Sequence, residues 1–207
     1  MPRITEARRQ ARRDEILRAA VRCVVRSGYQ GATMADIIEE SGLSAGAVYG
    51  YFASKAELLA AVADSQLGVL DEVMADALAD GAVPDPVDIL GRLTDHVRKR
   101  ATGADGDLTV VIVQAWGEAI FGGPMRDLVA ERVGKLLDGW TEVVRRRQAA
   151  GLIDPAARPA DVGWVLHSMV PGYMLMRLNV RDLPPRRYLA SVHALLDGPP
   201  GGPAVHD

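Results

Sequence analysis

The chain has 207 residues, 48% of them hydrophobic and 5% aromatic, with a formal net charge of −3. That is apolar mass enough for a sizeable core, and a single cysteine, Cys23, excludes an internal disulfide framework and suits a reducing compartment. The polar start lacks a secretory apolar region, and the most apolar stretch, Val162 to Met176, is interrupted by His167 and Pro171 and stops at Arg177, so a cytoplasmic protein without a membrane span is expected.

Plentiful Ala and Leu with scarce β-branched alternation predict an all-α fold. The first helix is expected from about Thr5 to Ser27, with Ile16, Ala20, Cys23 and Val24 on one apolar face. Gly28 follows as a left-handed stop. The first thirty residues hold eight arginines against Glu6, Asp14 and Glu15, a net +5, which leaves −8 on the rest. Such asymmetry fits a basic working end on an acidic body, or an arginine-rich solvated face. Arg3, Arg8 and Arg9 are a basic arm on the first reading and a soluble end on the second.

Thr33, with Asp36 three residues on, is placed to cap a second helix over about Met34 to Ser41, which Gly42 ends. Ser44 caps a third, about Ala45 to Tyr51. Ser54 and Glu57 form another capping-box pattern that opens a fourth, running to about Asp80. Two very short helices joined by a tight glycine turn make no core alone and must pack on the helices to either side, which is a helix-turn-helix arrangement.

Beyond Gly81 the turns alternate with five more helices: one to about Arg100, Leu108 to Phe121, one that runs to about Ala150 after the Gly122-Gly123-Pro124 break, Ala160 to Val180, and Arg186 to Leu196. Pro171-Gly172 should kink the eighth and free a carbonyl. Residues 198–207 carry no pattern and are expected to be disordered. The expected organisation is a helix-turn-helix head over 1–54, a helical body over 55–197, and the tail.

The segment Thr33 to Leu59 resembles the DNA-binding signature of the tetracycline-repressor-like (TetR) family. The match runs through Gly42, Leu43, Ser44, Gly46, Val48, Tyr49, Tyr51, Phe52, Ser54, Lys55, Glu57, Leu58 and Leu59, about a quarter of the chain. A weaker resemblance to some regulatory domains of that family covers Gln114 to Ala119. The resemblance implies a dimeric regulator, a repressor in the first instance, that grips palindromic DNA and is released by a small molecule, with DNA binding in the head and ligand binding and dimerisation in the body. An activator or a low-specificity DNA-binding protein with the same head is the alternative, and an all-helical enzyme a remote one. No nucleophile-base set, phosphate-cradling loop or paired metal motif recommends catalysis, and no cofactor is expected. His96 and His167 are too scattered to hold a metal.

The residues fit that reading. Ala45, Gly46 and Ala47 keep the third helix thin enough to approach the floor of the major groove. Its free N–H groups and the Ser44 hydroxyl suit a phosphate. Tyr49 and Tyr51, two apart, point to different sides, one for a phosphate and one nearer the bases. Lys55 and Thr33 are implied backbone contacts by resemblance, and Arg3 and Arg8 would add the arm. Gly50 stands where the family often has a larger side chain, so a contact is missing there. Val48 and Phe52 should turn inward.

In the body, Trp116, Phe121, Trp140, Trp164, Met169 and Tyr173 are the candidate ligand contacts, with an ordinary core as the alternative for each. The dimer surface is expected from the last two helices, through Val162, Leu166, Met169 and Val170 on one and Leu189, Val192, Leu195 and Leu196 on the other.

Overall fold

The computed structural model describes residues 6–79, 81, 83–101, 106–180 and 183–196. Among these, nine helices follow one another: α1 (Glu6–Gly31), α2 (Met34–Ser41), α3 (Ala45–Tyr49), α4 (Lys55–Leu78), α5 (Pro86–Ala101), α6 (Leu108–Ile120), α7 (Pro124–Ala149), α8 (Pro159–Asn179) and α9 (Pro185–Leu196). No described helix is long and apolar enough to cross a membrane. Arg3 and the tail lie outside the described residues.

The expected all-α order holds, and the differences have local causes. Gly28 takes a positive φ (74°, ψ 171°), as a stop would, but one more helical turn follows, so α1 is kinked and reaches Gly31. α3 ends two residues early, where the Tyr51 N–H tightens onto the Val48 carbonyl three residues back instead of keeping the four-residue pattern. Four helices start on the proline itself, at Pro86, Pro124, Pro159 and Pro185, where the missing N–H costs no intrahelical bond. α8 continues through Pro171 as one helix.

Two clusters form the core. The first joins Ile16, Val24, Ile37, Val48, Phe52 and Leu58 of α1–α4, with Val111 and Ala115 of α6 closing it from the body. The second runs from Leu67 on α4 through Leu90, Trp140, Val170 and Tyr173 to Val192 on α9. α4 therefore serves both clusters. α6 bridges them too, with Val111 in one and Ile112 in the other.

The apolar stripes expected to pair two subunits need correction at all but two of their residues. Leu166, Val170 and Val192 are buried within the chain, and Val162, Met169 and Leu189 pack on the same cluster. On α8 the helical face opposite carries the exposed apolar groups instead, Trp164, Val165, Leu175 and Met176, whereas on α9 Leu195 (79% exposed) and Leu196 of the expected stripe do stay exposed. Both α8 faces read as apolar in sequence, and packing on α7 decides which one turns inward.

Candidate nucleic-acid interface

The head is built by caps. Thr33 accepts from the Asp36 N–H at 3.1 Å, and the Asp36 carboxylate takes the Thr33 N–H and hydroxyl at 3.0 and 2.6 Å. These bonds hold the Asp36 carboxyl below its ordinary pKa. Thr33 is thus fully engaged as a cap, with a carboxylate beside the hydroxyl that resemblance offers to a phosphate. Gly42 adopts the left-handed conformation (φ 67°) that turns α2 into α3. Ser44 accepts from the Ala47 N–H at 3.2 Å and keeps its own hydroxyl proton for an outside acceptor.

α3 presents a slender surface. Ala45 and Gly46 are exposed, Ala47 is half-buried, and nothing lies within 4 Å of where a Gly46 side chain would start. Val48 and Phe52 are buried and lock the helix down, as the spacing predicts. Tyr49 is 50% exposed, whereas Tyr51 is half-buried on the head core. Gly50 closes the helix with ordinary right-handed dihedrals, so no backbone demand requires glycine there. The exposed outer face therefore holds Ser44, Ala45, Gly46, Tyr49 and Gly50.

The basic residues divide. Arg22 and Arg26 both bind the Glu40 carboxylate (2.7 and 3.2 Å), clamping α1 to α2 and holding Glu40 below the usual carboxylate range. Arg12 pairs with Glu15, and Arg13 lies over the Phe52 ring at 5.2 Å. Arg8, Arg9 and Arg18 are exposed. The charge asymmetry of the first thirty residues is therefore partly structural.

Lys55 turns back toward α1, and its ammonium donates to the Gln30 carbonyl at 2.9 Å, leaving two N–H groups. Gln30 in turn donates to Glu118 of α6 (2.8 Å), and the Tyr29 N–H donates to the Gln114 side chain (3.0 Å). These bonds join the head to α6, and residue-by-residue reading missed them. The signal available was the Gln114 to Ala119 stretch. A groove of about 410 Å³ opens at this joint, lined by Tyr29, Lys55, Leu59, Glu118, Phe121 and Met125. Phe121, 89% exposed, belongs to this groove rather than to the body interior.

The other candidate ligand residues separate. Trp116 and Trp140 line an interior void of about 20 Å³ between α4, α6, α7 and α8, together with Leu70, Arg132, His167 and Pro171. The Trp116 N–H is buried and meets no acceptor. Arg132 is anchored by Asp64 and Asp71 of α4, and burial pushes the His167 pKa down toward the neutral imidazole. Tyr173 packs against the Tyr188 ring (5.1 Å), whose hydroxyl donates to the Met169 carbonyl (2.8 Å), so these residues hold α9 on α8. Trp164 is 59% exposed on the outer face of α8. Among the described residues no cluster of His, Cys, Asp and Glu forms a metal site.

Residues 16–62 match the family model of bacterial regulatory proteins of the tetR family. The HTH-type transcriptional regulator YfiR of Bacillus subtilis is 39% identical over 66 residues, so this chain matches only 32% of that relative's length. The HTH-type transcriptional repressor Rv1474c of Mycobacterium tuberculosis is 30% identical over 95% of this chain and 97% of its own. A solved chain from Saccharomonospora viridis, in complex with choline, shares the fold at a TM-score of 0.74 and 20% identity, covering 91% of this chain and 97% of that one.

Proposed function

Because the chain belongs to the tetR family of bacterial regulatory proteins, whose members are transcriptional regulators and not enzymes, we propose that it is a dimeric repressor released from a palindromic operator by a small apolar ligand. The observation that carries this reading is α3, a five-residue helix with a side-chain-poor exposed face, held by buried Val48 and Phe52 and flanked by an exposed Tyr49. Such a rod fits the major groove, with Ser44, Tyr49 and Lys55 on the phosphates and Ala45, Gly46 and Ala47 against the base edges. Arg8, and Arg3 ahead of it, extend the contact along the backbone. Residues 1–54 act as the head and 55–197 as the sensing and pairing body.

Two-fold pairing through the exposed faces of α8 and α9 places the two heads about 34–36 Å apart, one turn of duplex. Trp164, Val165, Leu175 and Met176 supply the apolar centre that such an interface needs. The effector acts from the interior void lined by Trp116 and Trp140, and the Saccharomonospora viridis chain of like fold holds a small molecule, choline. Selection of bound fragments from a random DNA pool tests the proposal. An inverted repeat with half-site centres one turn apart is expected, and a protein that selects no sequence, or a single half-site as a monomer, overturns it.

A further inference from the structure

We propose that the interior void is a site for a small neutral aromatic molecule bearing one hydroxyl, a phenol in chemical class, which accepts from the Trp116 indole N–H and donates to the His167 carbonyl. The inference rests on the effector reading above and specifies what that site selects.

Two polar groups, both on residues that line the void, argue for it. The Trp116 N–H is buried without an acceptor, and an unmade bond of this kind is recovered by any ligand that supplies one. Pro171 has no N–H, so the His167 carbonyl, four residues earlier on α8, loses its usual helical donor. Trp116, His167 and Pro171 all line the same void. One group lacks an acceptor and the other its usual donor, and a hydroxyl is both.

Charge and shape narrow the class further. The Arg132 guanidinium is already bound by Asp64 and Asp71, and burial favours the neutral His167 ring. A charged ligand would therefore lose its hydration without gaining a free partner. Trp116 and Trp140 offer ring faces and edges to an aromatic guest. The void of about 20 Å³ admits one water-sized body as it stands. A single ring must part the walls, and Leu67, Leu70 and the pliable Met174 are the side chains that yield.

Titration calorimetry on the full-length chain with four probes of like size tests the assignment: 4-ethylphenol, 4-ethylanisole, 4-ethyltoluene and 4-ethylbenzoate. The phenol should bind at least tenfold more tightly than the toluene, with the anisole, which only accepts, between them, and the benzoate weakest. Trp116→Phe should shrink the anisole-over-toluene advantage to less than about threefold. Pro171→Ala, which restores a donor to the His167 carbonyl, should shrink the phenol-over-anisole advantage. Equal affinity for phenol and toluene in the unaltered chain, tighter binding of the benzoate, or no binding of any probe overturns the proposal without recourse to a variant. So does an undiminished anisole advantage in a folded Trp116→Phe protein. Operator release followed in parallel separates the two readings. A phenol that binds but releases no DNA refutes the effector role and leaves the site, whereas operator binding with no bound probe refutes the site and leaves the repressor.

Discussion

Gly28 sits at the joint between head and body, and Gly28→Ala should weaken the whole molecule through that one point. Its dihedrals (φ 74°, ψ 171°) fall in a region open essentially to glycine, where another residue costs about 1–3 kcal/mol. An added Cβ would also stand 3.2 Å from the Gln114 side-chain oxygen, the acceptor for the Tyr29 N–H. Displacing that acceptor adds about 1 kcal/mol, for a total of about 2–4 kcal/mol. In a chain of this length that lowers the melting temperature by roughly 4–16 °C. Urea or thermal unfolding at one protein concentration, held fixed because a dimer's stability depends on it, gives the difference. Repeating the substitution in a Gln114→Ala background removes the crowding, so the cost there should fall by about 1 kcal/mol. A Gly28→Ala protein within about 0.5 kcal/mol of the original would refute the claim that this backbone needs glycine.

Ala45→Leu keeps helix propensity nearly constant at an exposed site, so stability should change by less than about 0.5 kcal/mol; operator binding should be lost in a gel shift, and retained affinity would disprove close docking of α3. Tyr29→Phe removes a buried hydroxyl that has no partner, so unfolding should show equal or slightly higher stability, by up to about 1 kcal/mol, and a clear loss would mean the hydroxyl is bonded after all. Glu40 is held below its ordinary pKa first by Arg22 and then by Arg26. Its contribution is complete above the ordinary carboxylate value, about pH 4.3, and disappears as pH falls through the lowered one. An acid unfolding curve should accordingly flatten in Glu40→Gln over that window, and an unchanged slope would remove the α1–α2 clamp from the account.

The head was legible because its residues act locally. Thr33, Ser44 and Ser54 cap helices through bonds spanning three residues, and Gly42 needs its own positive φ and nothing else. Patterns of that range survive in a one-dimensional reading. The second half of the capping box at Ser54 departs in detail, since Glu57 reaches the Ala53 N–H rather than that of Ser54. The body was legible only as a succession of helices. α8 is apolar on nearly every side, so periodicity could not say that Leu166 and Val170 face α7 while Trp164 and Val165 face out. Arg132 meets Asp64 and Asp71 across more than sixty residues, and Gln114 meets Tyr29 across eighty-five. Such pairs are set by the tertiary approach of helices and leave no spacing to read. The same holds for the arginines of α1, where composition counts Arg22 and Arg26 as basic surface and Glu40 withdraws them.

If the operator is palindromic, as proposed, the head–body joint matters to recognition even through residues such as Gln114 that lie away from the outer face of α3. Each head can satisfy its phosphates by itself, but two heads meet two half-sites only if both joints hold the same angle. Gln114 fixes that angle through the Tyr29 N–H, and it stands on α6 two residues from Trp116 in the wall of the void. Gln114→Leu, similar in size and without an acceptor, should leave binding to random duplex DNA unchanged, since that depends on charge. Affinity for the inverted repeat should fall, by up to about 1–3 kcal/mol if one net hydrogen bond is lost at each of two joints, or roughly 5- to 150-fold. Gln114→Glu keeps an acceptor and should restore most of it. Anisotropy titrations with the selected repeat and with bulk DNA distinguish the cases. If both affinities fall together, Gln114 supports the head itself; if neither falls, the two heads find their half-sites without the joint, and α6 loses its place between the void and the DNA.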